Sequence, residues 1–199
     1  MHAPMTFVGR YLTHPEVIID PGIAVTDWGL SDRGRTRIER FVRGQALSGI
    51  TRIVSSAERK AIETAELVAQ AMRLEVEIRP RMHENDRSAT GYLPRDEFEA
   101  VADRFFAEPT QSVRGWERAI DAQRRIVAEV EATLAVPLAG DILYVGHGGV
   151  GTLLRCWLSG LPIDRKHDQP GGGGGCLFSF SLSDRKPLCG WQVIEEFSG

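Results

Sequence analysis

The sequence predicts an α/β fold, a three-layer α/β/α sandwich around a mainly parallel central sheet, and three observations lead there. Strand-like and helix-like segments alternate along all 199 residues with no linker between them, so 1–199 reads as a single domain. One apolar run, Ile142-Leu143-Tyr144-Val145, is continuous rather than alternating, as a strand covered on both faces must be. Two histidines, His14 and His147, each stand where a strand ends, and in open α/β sheets that edge is where ligands bind.

Taken in order, Tyr11 and Leu12 read as strand, and Pro15, which has no N–H to donate, ends it with His14 extended. After a turn-like Ile23–Gly29, Ser31 is placed to cap a helix that buries Ile38, Phe41 and Val42. Thr51–Val54 is a short strand ending at Ser55-Ser56. Ser56 reads as the cap of the next helix, whose stripe is Ala61, Ala65, Val68 and Met72. Lys60 then falls in that helix's first turn. Leu74, Val76 and Ile78 alternate with charged residues, as a half-exposed strand does.

His83–Pro94 is polar and aperiodic, hence a loop, and it carries Glu84, Asp86 and Arg87. Phe98, Val101, Phe105 and Phe106 make one helical face, and Trp116, Ile120, Gln123, Val127, Val130 and Leu134 a longer one. The Ile142–Val145 strand runs into Gly146-His147-Gly148-Gly149, followed by a helix with Leu153, Leu154, Trp157 and Leu158. Leu161–Gly175 reads as a floppy connection ending in five glycines. Cys176–Leu182 and Trp191–Ile194 close the chain as strands.

Composition narrows the function. A net charge of −3 argues against a nucleic-acid partner, whose footprint is a strongly basic domain. Cys156, Cys176 and Cys189 are three, with no CxxC spacing, so neither a disulfide framework nor a zinc site is indicated, and a reducing compartment is expected. No apolar run approaches the roughly 18 residues of a membrane span, and Met1–Arg10 lacks a signal-peptide pattern. The expectation is a cytoplasmic protein with no membrane partner.

Two imidazoles at one sheet edge suit phosphorus chemistry. A neutral imidazole attacks in line when an acceptor on its other nitrogen fixes the tautomer. Phosphoryl transfer further requires positive charge around the equatorial oxygens. His147, Lys60 and the N–H groups opening a helix at Gly148 and Gly149 are candidates to supply it. Glu84 is the candidate proton donor if its pKa is lifted toward neutrality. Two other readings are weaker. Gly146-x-Gly148-x-x-Gly151 matches a dinucleotide-binding pattern, but the acid expected about 20 residues on falls in the Asp168–Gly175 loop. Metal ligation by His14, His147, Glu84 and Asp86 lacks a local spacing such as HExxH. His2, His83 and His167 read as surface residues.

Together these residues carry a resemblance. Tyr11-Leu12-Thr13-His14-Pro15-Glu16 resembles the opening strand and Arg-His-Gly-Glu motif of the histidine phosphatase superfamily, the phosphoglycerate-mutase-like proteins. Leu30-Ser31-Asp32-Arg33-Gly34 is similar to its Leu-Thr-x-x-Gly helix start. Ser55-Ser56-Ala57-Glu58-Arg59-Lys60-Ala61, with Glu63-Thr64-Ala65, is similar to its Ser-Ser-Pro-Leu-x-Arg-Ala and Gln-Thr-Ala segment, and Val145–Val150 to its Ser-His-Gly-Gly motif. The matches fall in family order over residues 10–155. The resemblance implies a phosphatase acting on a small phosphorylated molecule or a phosphoprotein. In it His14 becomes phosphorylated, Lys60 and His147 hold the phosphoryl group, and Glu84 protonates the leaving group. No metal or organic cofactor is expected.

Several positions depart from the pattern. The first phosphate-binding arginine is Thr13 here, the second is Lys60, the motif glycine is Pro15, and an asparagine position is Asp20. Lysine is a point charge where arginine offers a planar fork, so bidentate contacts are lost. Arg10 lies roughly 13 Å from His14 at about 3.3 Å per residue and is too distant to substitute. Arg87, three residues past Glu84, is expected to complete a phosphate site with Thr13, Lys60 and Gly148, while Arg59 reads as an exposed helix residue. The alternatives are a catalytically weak or inactive phosphate-binding module of the same fold, and a phosphoglycerate-mutase-type phosphotransferase.

Overall fold

The structure, a computed structural model, describes residues 7–44, 47–171 and 173–197. Short apolar runs become β1 (Val8–Thr13), β2 (Ile50–Ser56), β3 (Val76–Arg79), β4 (Asp141–Gly146), β5 (Cys176–Ser181) and β6 (Pro187–Val193). They form one sheet in the order β3-β2-β4-β1-β5-β6. The first four in that order run parallel; β5 is antiparallel to β1, and β6 to β5.

Side chains alternate across the sheet, and each face has its own core. Leu12, Ile53, Leu143, Val145 and Leu177 face a layer made by α1 (Asp32–Val42) and α2 (Arg59–Met72). Tyr11, Val54, Ile142, Tyr144, Phe178 and Phe180 face α3 (Arg95–Ala107), α4 (Ala119–Thr133) and α5 (Gly148–Leu158). The expected sandwich is therefore present. Because α1 leaves β1 toward one face and α5 leaves β4 toward the other, a crevice opens at the carboxyl ends of these two neighbouring strands.

Local signals explain most boundaries. Ser31 caps α1, its Oγ accepting the Gly34 N–H at 3.1 Å, a bond worth about 1 kcal/mol. Ser56 does not cap α2 as expected. That helix starts at Arg59, and the Ser56 hydroxyl instead accepts the Glu58 N–H and bonds to His147. The α4 face also differs from the expected one: its buried stripe is Ala119, Ala122, Arg125, Ile126, Val130 and Thr133. Small residues let α4 approach α5, and Arg125 goes inward because it is fully paired there.

Leu161–Gly175 is a tethered segment rather than a floppy one. Asp168 Oδ1 accepts from Thr152 Oγ1 at 2.7 Å, and the His167 carbonyl accepts from Trp191 Nε1 at 3.1 Å and from Arg155. Its glycines permit close approach to β1: Gly175 N donates to the His14 carbonyl at 3.1 Å, and a Cβ on Gly174, at φ +62°, would stand 2.1 Å from that oxygen. His83 and His167 are half-buried rather than surface residues, and His2 lies outside the described residues. No helix among the described residues is long and apolar enough to cross a membrane.

Candidate active site

Strand register alone brings the two histidines together. Thr13 and Gly146 are partners at the ends of β1 and β4, so His14 and His147 are each the first residue beyond a matched pair. His14 N donates to the Gly146 carbonyl at 3.0 Å, and the two imidazole centroids lie 5.3 Å apart at 69°. At that separation the rings meet edge to face, so an anion bound by both would lie beside the pair and not between them.

The His14 ring has one nitrogen held and the other left open. Its Nδ1 lies 2.8 Å from the Pro15 carbonyl, which can only accept, so the proton sits on Nδ1 and Nε2 keeps its lone pair. Burial, with the Lys60 charge adding to it, lowers the His14 pKa from 6.5 to about 4. His147 is fully buried and pushed well below 6.5 in the same way, against the opposing pull of Glu58. Its backbone is pinned by Tyr11, whose hydroxyl accepts from His147 N at 3.1 Å and donates to its carbonyl at 3.3 Å. Its Nε2 meets Ser56 Oγ at 2.8 Å, and its Nδ1 is buried with no hydrogen-bond partner among the described residues.

Two rings held neutral make folding sensitive to acid. In the unfolded chain His14 takes its proton near pH 6.5 but in the folded one only near 4, so the stabilisation is complete above 6.5 and lost as pH falls through 4. We expect the urea midpoint to drop across that window, with His14 accounting for ~3 kcal/mol. A midpoint that stays flat from pH 7 to pH 4 contradicts this account.

Around the rings, the expected ligands divide. Lys60 reaches the site and is 3% exposed, but its Nζ donates to the Glu58 carboxylate and, at 2.7 Å, to the Val25 carbonyl. Thr13 is buried with its hydroxyl engaged, accepting from Cys176 N at 3.0 Å and donating to Gln169 Oε1 at 2.8 Å. Arg87 lies with its guanidinium carbon 4.9 Å above the Phe98 ring, and its charge acts on His14, His147 and Glu84 alike. No hydrogen-bond or ion-pair partner holds that guanidinium among the described residues. Gly148 opens α5, and the Gln169 amide fills the space a side chain there would need, just as Tyr11 fills it at Gly146 and Gly151. Arg10 pairs with Asp141 at the opposite end of β1, Arg59 is exposed beside Glu63, and Asp20 accepts from Gly22 N in a turn.

Glu84 is drawn into the site by α5. Its Oε2 accepts from Gly149 N at 3.0 Å and its Oε1 from Val150 N at 2.9 Å, so the helix start offered above as an anion cradle is occupied at Gly149 by this side chain. Burial nonetheless raises the Glu84 pKa; Arg87 and the two N–H groups oppose it, and Glu58 reinforces it. An acid lifted toward neutrality at the start of α5, next to His147 in the chain's fold, is suited to proton transfer.

Four further residues organise the site beyond those the sequence singles out. Tyr11 reads in the sequence only as strand, and Gln169 lies in the stretch expected to be floppy. Glu58 accepts from Glu84 N at 2.8 Å and faces His147 Nε2 at 3.6 Å. Burial pushes its carboxyl up, but the charges of His147 and Lys60 and the bonds it accepts outweigh that and bring it to about 2. Lys60 and the Glu84 N–H keep it ionised when His147 is neutral. A signal for it existed, an acid two residues before a lysine at a strand end. Arg125 makes two bonds to Glu117 and donates to the carbonyls of Arg81, His83 and Glu84, clamping the acid's loop. Arg125→Ala is expected to lower stability by about 3 kcal/mol in a urea melt, because it strands a largely buried carboxylate. A loss under about 1 kcal/mol would show the clamp to be ornamental.

A family model described as the histidine phosphatase superfamily (branch 1) matches residues 23–189. The chain belongs to the histidine phosphatase superfamily. Membership places this histidine phosphatase among the hydrolases of phosphoric monoesters. Solved structures agree on the fold. A mycobacterial glucosyl-3-phosphoglycerate phosphatase is 22% identical, with a TM-score of 0.71 over 95% of this chain and 97% of that one. YhfR of Bacillus stearothermophilus is 21% identical, with a TM-score of 0.76 over 90% and 93%. The alpha-ribazole phosphatase of Shigella flexneri is 17% identical, with a TM-score of 0.70 over 94% and 95%. No curated protein matches the sequence. Among the described residues of this superfamily member, no cluster of three or more His, Cys, Asp or Glu side chains is placed to hold a metal.

Proposed function

We propose that this chain hydrolyses a phosphomonoester, borne by a small molecule or a phosphoprotein, through a phosphohistidine on His14. The observation that carries the reading is the pair of imidazoles 5.3 Å apart, one with its Nδ1 proton held by Pro15 and its Nε2 lone pair left for phosphorus. Nε2 attacks in line and the ester P–O bond breaks. Glu84 gives its proton to the departing alkoxide. Water then attacks the phosphohistidine, the P–N bond breaks, and the Glu84 carboxylate takes the water's proton, leaving inorganic phosphate and the regenerated imidazole. Arg87 and the third Lys60 proton face the charge that develops on the equatorial oxygens. No step calls on a metal or an organic cofactor.

A second reading, a phosphate-binding module with little turnover, is favoured by one observation: the Thr13 hydroxyl and two of the Lys60 donors are already spent. Rapid quenching during turnover of an aryl phosphate separates the two. Acid-labile, base-stable phosphate on His14 is expected for the enzyme. Phosphate binding with neither trapped phosphate nor product supports the module, and a mutase would instead return the phosphoryl group to an added alcohol.

A further inference from the structure

Resting on that reading of the pocket, we propose that Glu58 is a positioning residue that turns His147 into a cation when a phosphate dianion binds, so that the pocket takes up a proton with its ligand. The argument starts from charge. Lys60 is the buried cation of the site, and its charge is spent on Glu58, with Val25 accepting a second donor. Thr13 contributes no charge, and Arg87 lies over Phe98. A dianion held by both rings would therefore meet one uncompensated cation, too little to offset loss of its own hydration.

His147 is the group placed to make up the difference. With the Ser56 hydroxyl donating to Nε2, the neutral ring carries its proton on Nδ1, the buried nitrogen with no partner, which suits a donor to a bound anion. A second proton, arriving on Nε2, finds Ser56 Oγ at 2.8 Å and the Glu58 carboxylate at 3.6 Å behind it. The imidazolium would then lie between two negative groups, the ligand and Glu58. Every charged or titratable neighbour fits this sense. Burial first, and then the charges of His14, Lys60 and Arg87, keep the ring neutral, Glu58 pulls the other way, and Tyr11 touches only its backbone. A dianion tips that balance by screening Lys60 and Arg87 and adding its own attraction. Glu58 itself cannot wander, since it is fixed by Lys60 Nζ and Glu84 N.

The proton comes from solvent when the free ligand is a dianion, and from the ligand itself when it is a monoanion. Titration calorimetry with inorganic phosphate at about pH 8, in buffers of different ionisation enthalpy, is expected to show uptake of about one proton by the wild-type protein and close to none by Glu58→Gln. In parallel, the ring nitrogen NMR signals of His147 should move to imidazolium positions on adding phosphate. Binding without uptake, or uptake that persists in Glu58→Gln, overturns the inference while leaving the phosphate pocket standing. Uptake with an unshifted His147 signal assigns the proton to another group, Glu84 first, and overturns it too. If Glu58→Gln does not fold, the wild-type His147 signal decides the matter. If phosphate does not bind the wild-type protein at all, the pocket reading falls and this inference with it.

Discussion

His14→Ala is expected to reduce hydrolysis of an aryl phosphate by about 10³-fold or more, with most of the loss in kcat. The reason is specific to the geometry. Of the two imidazoles His14 alone presents a free lone pair, because His147 has its Nε2 bonded to Ser56 and is fully buried. Packing should survive the change, since the His14 backbone is held by Gly146 and Gly175 independently of its ring. Phosphate affinity is expected to fall less than turnover. Hydrolysis that persists in this variant, with the circular dichroism spectrum unchanged, would remove the phosphohistidine route altogether.

Glu84→Gln gives the second large effect, and its size depends on the leaving group. For an alkyl phosphate, whose alkoxide needs a proton, kcat should fall by about 10²- to 10³-fold. For an aryl phosphate with an acidic phenol the burst of phenol release should be nearly unchanged, while steady-state turnover still falls because the same carboxylate must take the proton of the attacking water. The contrast distinguishes proton donation from structure. Glu84 also binds the N–H groups of Gly149 and Val150, and a glutamine that merely weakened that contact would slow the first step of both substrates equally. The pH profile gives an independent reading. Burial raises the Glu84 pKa, and a donor works only while protonated, so alkyl phosphate turnover should decline as pH rises through that raised value. In Glu84→Gln this alkaline limb should vanish. An unaltered limb would assign it elsewhere and sink the role given to Glu84.

What was legible beforehand follows a pattern. His14, Glu84 and His147 stood out because each sits at a break in hydrophobic periodicity, and the sheet order then had only to place β1 beside β4 for two of them to meet. Lys60 was also found, in the first turn of α2 as its spacing required. Its state was not. The sequence shows Glu58 and Lys60 two residues apart, but whether they repel water together or each serve a substrate depends on the chain at Val25 and Glu84 closing over them. Gln169 escaped notice because a glycine-rich stretch carries no periodicity, and Arg125 because a buried arginine breaks the stripe by which helices are recognised.

The sequence by itself determined the layered α/β fold and the placing of two imidazoles at one sheet edge, because both follow from short-range rules: the pitch of helices, the alternation of strands, and proline and glycine at strand ends. Only the tertiary structure decided how much charge the pocket holds. Charge in a buried site is set by which partners lie within a few ångströms, and apart from Glu58, two residues from Lys60, those partners, Val25, Gln169 and Arg125, come from segments whose approach no local spacing encodes.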